Sequence, residues 1–396
     1  MKSNANPSLI RKINRSAILD LIRTQGPISR TEIAEKLHTS LPTVMRITDD
    51  LKAQDLVRED GTFETSGGRP RALLVFNGDA HTVVGLDLGG TRMYGTISDL
   101  DGKILKEVTI PWVRKSAEDN FEQLCTILNS LLKAAQENHH TLLGAAVGVP
   151  GVTNLDEGYI YWAPSLNWKN FPLRDRLKER FPDLFVLVEN DVNLAALGEY
   201  GFGDYAGIES LVCITVGTGI GAGIVIDRKI YHGRHFSAGE IGYLPPDIRH
   251  LGQDFSMFGA LESHSSHTAM VARAIKRLEE TNHPRAGQPL SAEDIFSAAR
   301  AGETWACEVV SDVVDSLALA ISAVVSLIDP EVIILGGGIS THSDLFIEPI
   351  QKRLENVLPI RPNIGASRLG YQATSMGGIL KVLDACTEHV TVSFPG

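Results

Sequence analysis

Apolar residues recur at helical spacing near the start of the chain and give way to short, closed apolar runs further on. Ile13, Ala17, Ile18, Leu21 and Ile22 share one helical face. That helix is expected to stop at Gly26-Pro27, a terminal glycine with a proline just beyond. Ser29-Arg30-Thr31-Glu32 has the form of a capping box and predicts a short helix over 30–37. Ser40 is placed to cap a third helix with Pro42 in its first turn. Val44, Ile47 and Leu51 give that helix one buried stripe, and Thr43 and Arg46 point elsewhere. A strand at 56–59, a turn at Asp60-Gly61 and a strand at 71–76 then read as a hairpin. Three helices and a hairpin make a winged helix-turn-helix.

From about residue 79 the pattern changes. A strand at 82–88 runs into Gly89-Gly90-Thr91, a second returns over 93–98, and Asp101-Gly102 turns the chain again. A helix is expected over 121–138, and a buried strand over 142–149 that ends on Pro150-Gly151. A further strand, 184–188, ends on Glu189-Asn190-Asp191, where a helix starts at Val192. Strand-then-Gly-Thr-Gly recurs in LVCITVGTGIGAG, 211–223, about 130 residues after the first such turn. A long apolar helix over 309–328 ends at Asp329-Pro330. A strand at 332–335, the turn Gly336-Gly337-Gly338 and helices over 343–354 and 375–385 complete the chain. Alternating strands and helices indicate an α/β body, and the repeated loop suggests a duplicated one. The expected domains are 1–78, 79–195 and 196–396, with the last helix returning to the first lobe.

Charge refines this picture. The chain of 396 residues carries a net −11. Its first 80 residues hold 12 Lys and Arg against 10 Asp and Glu, so the head is +2 and the rest −13. An acidic body argues against general coating of nucleic acid, while the head suits a small DNA-reading module. Cys125, Cys213, Cys307 and Cys386 are scattered with no CxxC pair, as in a reduced, cytoplasmic protein. The polar start is not expected to be a signal peptide. The longest apolar stretch, 317–328, is too short to span a bilayer.

Candidate chemistry sits at the turns. In the head, Ser40, Thr43 and Arg46 would face base edges or phosphates. Arg69, between Gly67-Gly68 and Pro70, suits either minor-groove insertion or a phosphate contact. A winged helix can also serve protein contacts. In the body, polar groups at strand ends lie where open α/β sheets bind ligands. Asn190 can donate and accept, and Asp191 can take a proton from a hydroxyl or simply cap the helix. The backbone of Gly151 can lie against a ligand, and Glu240 can accept from sugar hydroxyls. Trp168 suits a sugar face or a packed core equally. Gly89, Gly90 and Thr91 in one loop, and Thr218 and Gly219 in the other, can hold phosphates, with Asp87 holding Mg²⁺ through water. Gly337 and Gly338 can pass under an adenine.

Taken together, DLGGTR (87–92), GVPG (148–151), ENDVN (189–193), VGTGIGAG (216–223), GEIGY (239–243) and DPEVIILGGG (329–338) resemble the ROK family of bacterial repressors and sugar kinases. The likeness covers nearly the whole chain, including the winged head carried by the repressor members. It implies an N-terminal winged helix-turn-helix followed by an actin-like, ribonuclease H-like, duplicated two-lobed sugar-kinase fold. It also implies that Asp191 matches the catalytic base, Asn190 its sugar-binding neighbour, and Glu240 and Glu262 the sugar-binding glutamates. The family's zinc histidine is Tyr243 here, and its three cysteines are Gln253, Phe255 and Ala260. No zinc is therefore expected, since zinc needs thiolate or imidazole ligands. Tyr243 still offers a phenol to the sugar. His250, His264 and His267 lack the family's spacing.

Two functions follow. The first is a sugar-responsive transcriptional regulator, a repressor, that binds operator DNA as a homodimer or higher homo-oligomer and a small sugar effector in the interlobe cleft. It requires no cofactor and contacts no membrane. The second is an ATP-dependent sugar kinase that keeps a regulatory head and uses Mg-ATP; one chain could do both. Retention of Asp87, Gly89, Gly90, Thr91 and Thr218 favours the second. Arg92, where the family usually has Lys or Asn, is a modest departure, and loss of the zinc ligands favours the first.

Overall fold

The computed structural model describes residues 7–63, 71–111, 116–137, 141–205, 208–255 and 259–389. The head comprises α1 (Pro7–Gln25), β1 (Ile28–Ser29), α2 (Arg30–Lys36), α3 (Leu41–Ala53), β2 (Val57–Phe63) and β3 (Arg71–Phe76). The capping box is present: the Glu32 N–H donates to Ser29 Oγ, and the Glu32 carboxylate accepts from the Ser29 N–H at 2.8 Å. Ser40 stands at the N-cap of α3, but its hydroxyl bonds Thr43 Oγ1 at 2.8 Å and no backbone N–H. Val44, Ile47 and Leu51 are buried as their spacing requires.

One local expectation fails. Asp60-Gly61 is not the hairpin turn. Glu59 pairs with Leu74 and Thr62 with Ala72, so two residues oppose one. Gly61, with φ of +78°, takes the bulge. The strand runs on to Phe63, and Arg69 lies outside the described residues.

The body is two copies of one sheet. The first lobe holds β4 (His81–Leu88), β5 (Arg92–Asp99), β6 (Ile104–Pro111), α4 (Ala117–Glu137) and β7 (Thr141–Val149). A small sheet of β8 (Val152–Asn154), β9 (Tyr159–Ala163) and β10 (Trp168–Phe171) follows, then α5 (Leu173–Arg180), β11 (Val186–Asn190) and α6 (Asp191–Phe202). The second lobe holds β12 (Ser210–Val216), β13 (Ile220–Ile226), β14 (Lys229–Ile230), α7 (Ala260–Ser265), α8 (His267–Glu280), α9 (Ala292–Arg300) and α10 (Thr304–Ile328). It continues with β15 (Val332–Gly337), α11 (Ile347–Leu354) and β16 (Ile364–Ala366), and α12 (Ala373–His389) ends the fold.

The strand orders are β11-β7-β4-β5-β6 and β14-β13-β12-β15-β16. In each, the first strand pairs antiparallel with the second and parallel with a later one, as β4 does with β5 and β7, and β12 with β13 and β15. The parallel strands therefore deliver their carboxyl ends, and the Gly-Thr hairpins beside them, to one edge of each lobe.

Between the sheets lie α6 and α12. They touch through glycine: a Cβ on Gly377 would fall 1.8 Å from Leu194 O, and one on Gly198 would fall 2.1 Å from Ala373 O. Only residues without a side chain allow that approach. The last helix also packs on β4 and β7 of the first lobe.

Several elements escaped the pattern reading. The helices α5, α8 and α9 and the strands β8–β10 were not anticipated, α10 begins at Thr304, and 340–345 is a 3-10 turn before α11. Trp168 belongs to the core: it is 0% exposed, stacks on Phe171 at 4.6 Å and donates from Nε1 to Ala117 O at 3.0 Å. By length and composition α10 could cross a membrane, yet Val313, Leu317 and Ile321 lie fully buried in the second lobe's core.

The head shares a core with the body. Ile18, Leu21 and Ile22 of α1 cluster with Met376, Ile379 and Leu383 of α12. Three polar contacts frame this seam. Ser16 Oγ meets Asp384 Oδ1 at 3.2 Å, Arg23 donates to Gly201 O at 3.3 Å, and Asp20 pairs with Arg228 of the second lobe at 2.9 Å.

Candidate functional site

The site begins where three neighbouring strands end. Asp87 on β4 pairs with Gly148 on β7, and Gly148 pairs with Glu189 on β11. The next two residues, Asn190 and Asp191, turn the chain into α6. Asn190 is the helix cap: its Oδ1 accepts from the N–H groups of Val192 and Asn193 at 2.9 and 3.1 Å. Its Nδ2 donates to the carbonyl of Gly151 at 3.2 Å. Asp191 Oδ1 shares the Val192 N–H at 2.9 Å. With Asn190 as the main cap, the second carboxylate oxygen of Asp191 is left to the cleft.

The second lobe supplies the opposite wall. Glu240 follows Gly239, whose carbonyl accepts from the Ala222 N–H of β13 at 2.8 Å. Glu262, on α7, accepts from the Ile220 N–H at 2.9 Å, just after the Gly217-Thr218-Gly219 loop. Tyr243 is 56% exposed at the cleft mouth.

Electrostatics tie these groups together. Burial, then the charge of Asp191, push Asp87 up to about 8, with Arg92 pulling the other way. Burial, Asp191 and Glu262 push Glu240 up to about 7. Burial raises Asp191 to about 6 against the pull of its Val192 hydrogen bond. Glu262 is raised by burial, and the Tyr243 phenol by burial and by both glutamates. Carboxyls poised near neutrality can accept or return a proton at a hydroxyl.

The two Gly-Thr loops meet. A Cβ on Gly90 would lie 2.3 Å from Thr218 Oγ1. Thr91 and Thr218 are exposed there, and Gly89 and Gly219 flank them. These hydroxyls, the glycine backbone and Asp87 suit Mg-ATP in residue type. Gly338 is less open, since a Cβ there would fall 2.0 Å from the His267 ring, while Gly337 is exposed.

The zinc site of the resembled family does not fit these residues. Its positions hold Tyr243, Gln253, Phe255 and Ala260. Among the described residues, no group of three or more His, Cys, Asp or Glu side chains is placed to hold a metal. His264 hydrogen-bonds Arg273 and His267 faces Phe296.

In the head, Arg46 is exposed and makes no ion pair among the described residues. Ser40 is exposed and Thr43 half-buried. Arg30 is committed elsewhere, bonding Thr48, Asp49 and Glu59. Leu41 and Met45, 41% and 48% exposed, line a groove with Ser29, Arg30, Thr31 and Ala72; the sequence reading gives them no role, although both fall outside the buried stripe.

Other residues missed in the sequence stand behind the site. The carboxylate of Glu189 is buried with Lys381 Nζ at 2.7 Å and His232 Nε2 at 3.0 Å, and Asn193 Nδ2 at 3.0 Å. Lys381 and His232 lie 192 and 43 positions away in the chain, so no local signal joins them to Glu189.

A duplicated two-lobed body with carboxyls from both lobes facing a cleft, behind a winged helix, defines a class: a sugar-kinase fold carrying a regulator's head. Residues 83–380 match the ROK family, and residues 13–59 match the MarR family. The chain belongs to the ROK family. The putative xylose repressor of Caldicellulosiruptor sp. (strain Rt8B.4) is 30% identical over 354 residues, 88% of each chain. A glucokinase of Halalkalibacterium halodurans is 33% identical over 311 residues, covering 74% of this chain and 93% of that one. The crystal structure of a ROK family transcriptional regulator, described as a homolog of the E. coli MLC protein, superposes with a TM-score of 0.80 at 27% identity. That match covers 96% of this chain and 97% of the other.

Proposed function

We propose that the chain is a cytoplasmic, sugar-responsive transcriptional repressor that binds operator DNA through its head and an effector sugar in the interlobe cleft. The observation that carries this is the shared core of α1 and α12, which makes the head part of the body. A sugar held by Asn190 and Asp191 on one side and by Glu240 and Glu262 on the other favours closed lobes. Because α1 touches both lobes, closure reorients the head. In a homodimer that changes the spacing of two recognition helices on their half-sites. Coupling of roughly 1–3 kcal/mol between sugar and DNA is ordinary for such a device.

The test is a mobility-shift titration against sites selected from random duplex DNA, with and without each of a panel of sugars. Arg46→Ala is expected to weaken operator binding by roughly 1–3 kcal/mol if Arg46 reads a base. Wild-type affinity in that variant, or an operator complex insensitive to every sugar, would overturn the proposal.

One observation favours a second activity, ATP-dependent phosphorylation of the sugar. Both Gly-Thr loops are present, they meet at Gly90 and Thr218, and Asp87 lies next to Gly89. Mg-ATP, when bound, supplies the phosphoryl group. Asp191 then takes the proton of the attacking hydroxyl, a step worth roughly 10²–10⁴-fold. ADP release that vanishes in Asp191→Asn supports this activity, and no ADP release with any bound sugar excludes it.

A further inference from the structure

Tyr243 also borders a cavity of about 440 Å³. Its walls include Trp162 of the first lobe and Tyr243, His250, Gln253 and Phe255 of the second. Of the residues assigned above to a sugar, only Tyr243 lines it. The cavity adjoins that site without coinciding with it. On the first-lobe side the connection is Gly151. Its carbonyl accepts from Asn190 Nδ2 at 3.2 Å, and its Cα lies so close to the Trp162 carbonyl that a Cβ would fall 2.2 Å from the oxygen.

The lining has the chemistry of a sugar platform. Trp162 and Tyr243 line it from opposite lobes, Trp162 with Lys169 Nζ over its ring at 5.8 Å, and the C–H face of a pyranose packs on such rings. Tyr243 and Leu251 stand 56% and 65% exposed at the mouth, so large apolar groups meet water where a ligand would cover them. His250 Nδ1 is buried with no hydrogen-bond partner among the described residues. Such a group is costly unless a ligand or water reaches it. Gln253 Nε2 donates to Arg249 O at 2.8 Å, which fixes the amide and leaves its oxygen to accept. An anionic ligand finds little here. Asp254 lines the cavity, and Arg249 is already paired with Asp247 at 2.8 Å.

We propose that this cavity is a second sugar subsite and that the effector is a disaccharide or short glycoside. Its terminal ring sits among Asn190, Asp191, Glu240 and Glu262, and its next ring lies between Trp162 and Tyr243. This rests on the cleft reading given under the proposed function.

The test is isothermal titration of the full-length protein with matched pairs: xylose and xylobiose, glucose and cellobiose or maltose, N-acetylglucosamine and diacetylchitobiose. For one pair the disaccharide is expected to bind about tenfold tighter than its monosaccharide, the yield of one aromatic contact and one hydrogen bond. Gln253→Ala and Trp162→Ala are expected to return the disaccharide to the monosaccharide's affinity and leave the monosaccharide unchanged. Gln253 lies on a surface loop, so its variant keeps the test sound if Trp162→Ala fails to fold. A monosaccharide that binds as tightly as its disaccharide overturns the second subsite alone. So does a Gln253→Ala variant that weakens both ligands equally. No binding of any sugar overturns the cleft reading and the subsite with it.

Discussion

Gly90 and Thr218 stand against each other across the cleft, one from each lobe's Gly-Thr hairpin. A Cβ on Gly90 would lie 2.3 Å from Thr218 Oγ1, 3.0 Å from its Cβ and 3.2 Å from its Cγ2. Turning the threonine therefore makes no room. Gly90→Ala is expected to cost on the order of 1–3 kcal/mol as the hairpins move apart. At Gly219 a new Cβ would meet chiefly Glu262 Oε2 at 3.0 Å, the far end of a movable side chain. Gly219→Ala should cost clearly less. Urea denaturation of both variants decides this, and equal losses would contradict it.

Glu189 is 0% exposed and anchors β11, α12 and the second lobe at one point. Burial by itself would raise its pKa. The hydrogen bond from His232 and the charge of Lys381 outweigh burial and hold it at about 2. An unfolded glutamate titrates near about 4.3. The folded state thus binds fewer protons between these values, and its stability falls as pH drops through that window. Removing one partner of a buried pair costs roughly 3–5 kcal/mol, so Glu189→Gln should be strongly destabilised at pH 7. The gap in melting temperature between wild type and variant should narrow below about pH 4. A gap independent of pH would show that the ion pair is not its source.

Asp191 has the opposite sign. Burial raises it to about 6, so the folded chain holds its proton more firmly than the unfolded chain does. Stability tied to this group is present at low pH and lost as pH rises through about 6. Asparagine keeps the oxygen that accepts from the Val192 N–H and removes the charge. Asp191→Asn is expected to stabilise the fold at pH 8 by on the order of 1–3 kcal/mol, with no gain near pH 3.5. Thermal melts at the two pH values measure it, and a gain at both would point to packing instead. The same variant should lose sugar binding or turnover, placing stability and function in opposition at one residue.

Asp20 and Arg228 link the head to the second lobe at 2.9 Å, with 28% and 53% of their side chains exposed. A pair this open contributes little to stability, about 0–1 kcal/mol. Arg228→Ala should therefore leave melting and sugar affinity nearly unchanged. It is expected to reduce the factor by which sugar alters operator affinity, since the lobe loses its grip on α1. An unaltered factor in the mobility-shift titration would assign coupling to α12 alone.

Most of the head was legible because its signals are local. A capping box, a glycine-proline stop and a stripe at 44, 47 and 51 each act within a turn or two of helix. The Asp60-Gly61 misreading is instructive in the same terms. The dipeptide fits a bulge as well as a turn, and only the partner strand distinguishes them.

The two strand-and-Gly-Thr hairpins, the polar turn after β11 and the lack of zinc-type ligands at 243, 253, 255 and 260 follow from the order of residues alone. These are matters of residue type and spacing, which the chain carries without folding. Folding in three dimensions supplied the rest. It set Gly90 against Thr218, buried Trp168, made Asn190 rather than Asp191 the main helix cap, and gathered Lys381 and His232 onto Glu189. It also raised the carboxyls of Asp87, Asp191 and Glu240 by enclosing them together. The physical reason is common to all of these. Burial, close approach and charge–charge coupling depend on distance in space, and the residues concerned are brought together by a duplicated fold from positions far apart in the chain.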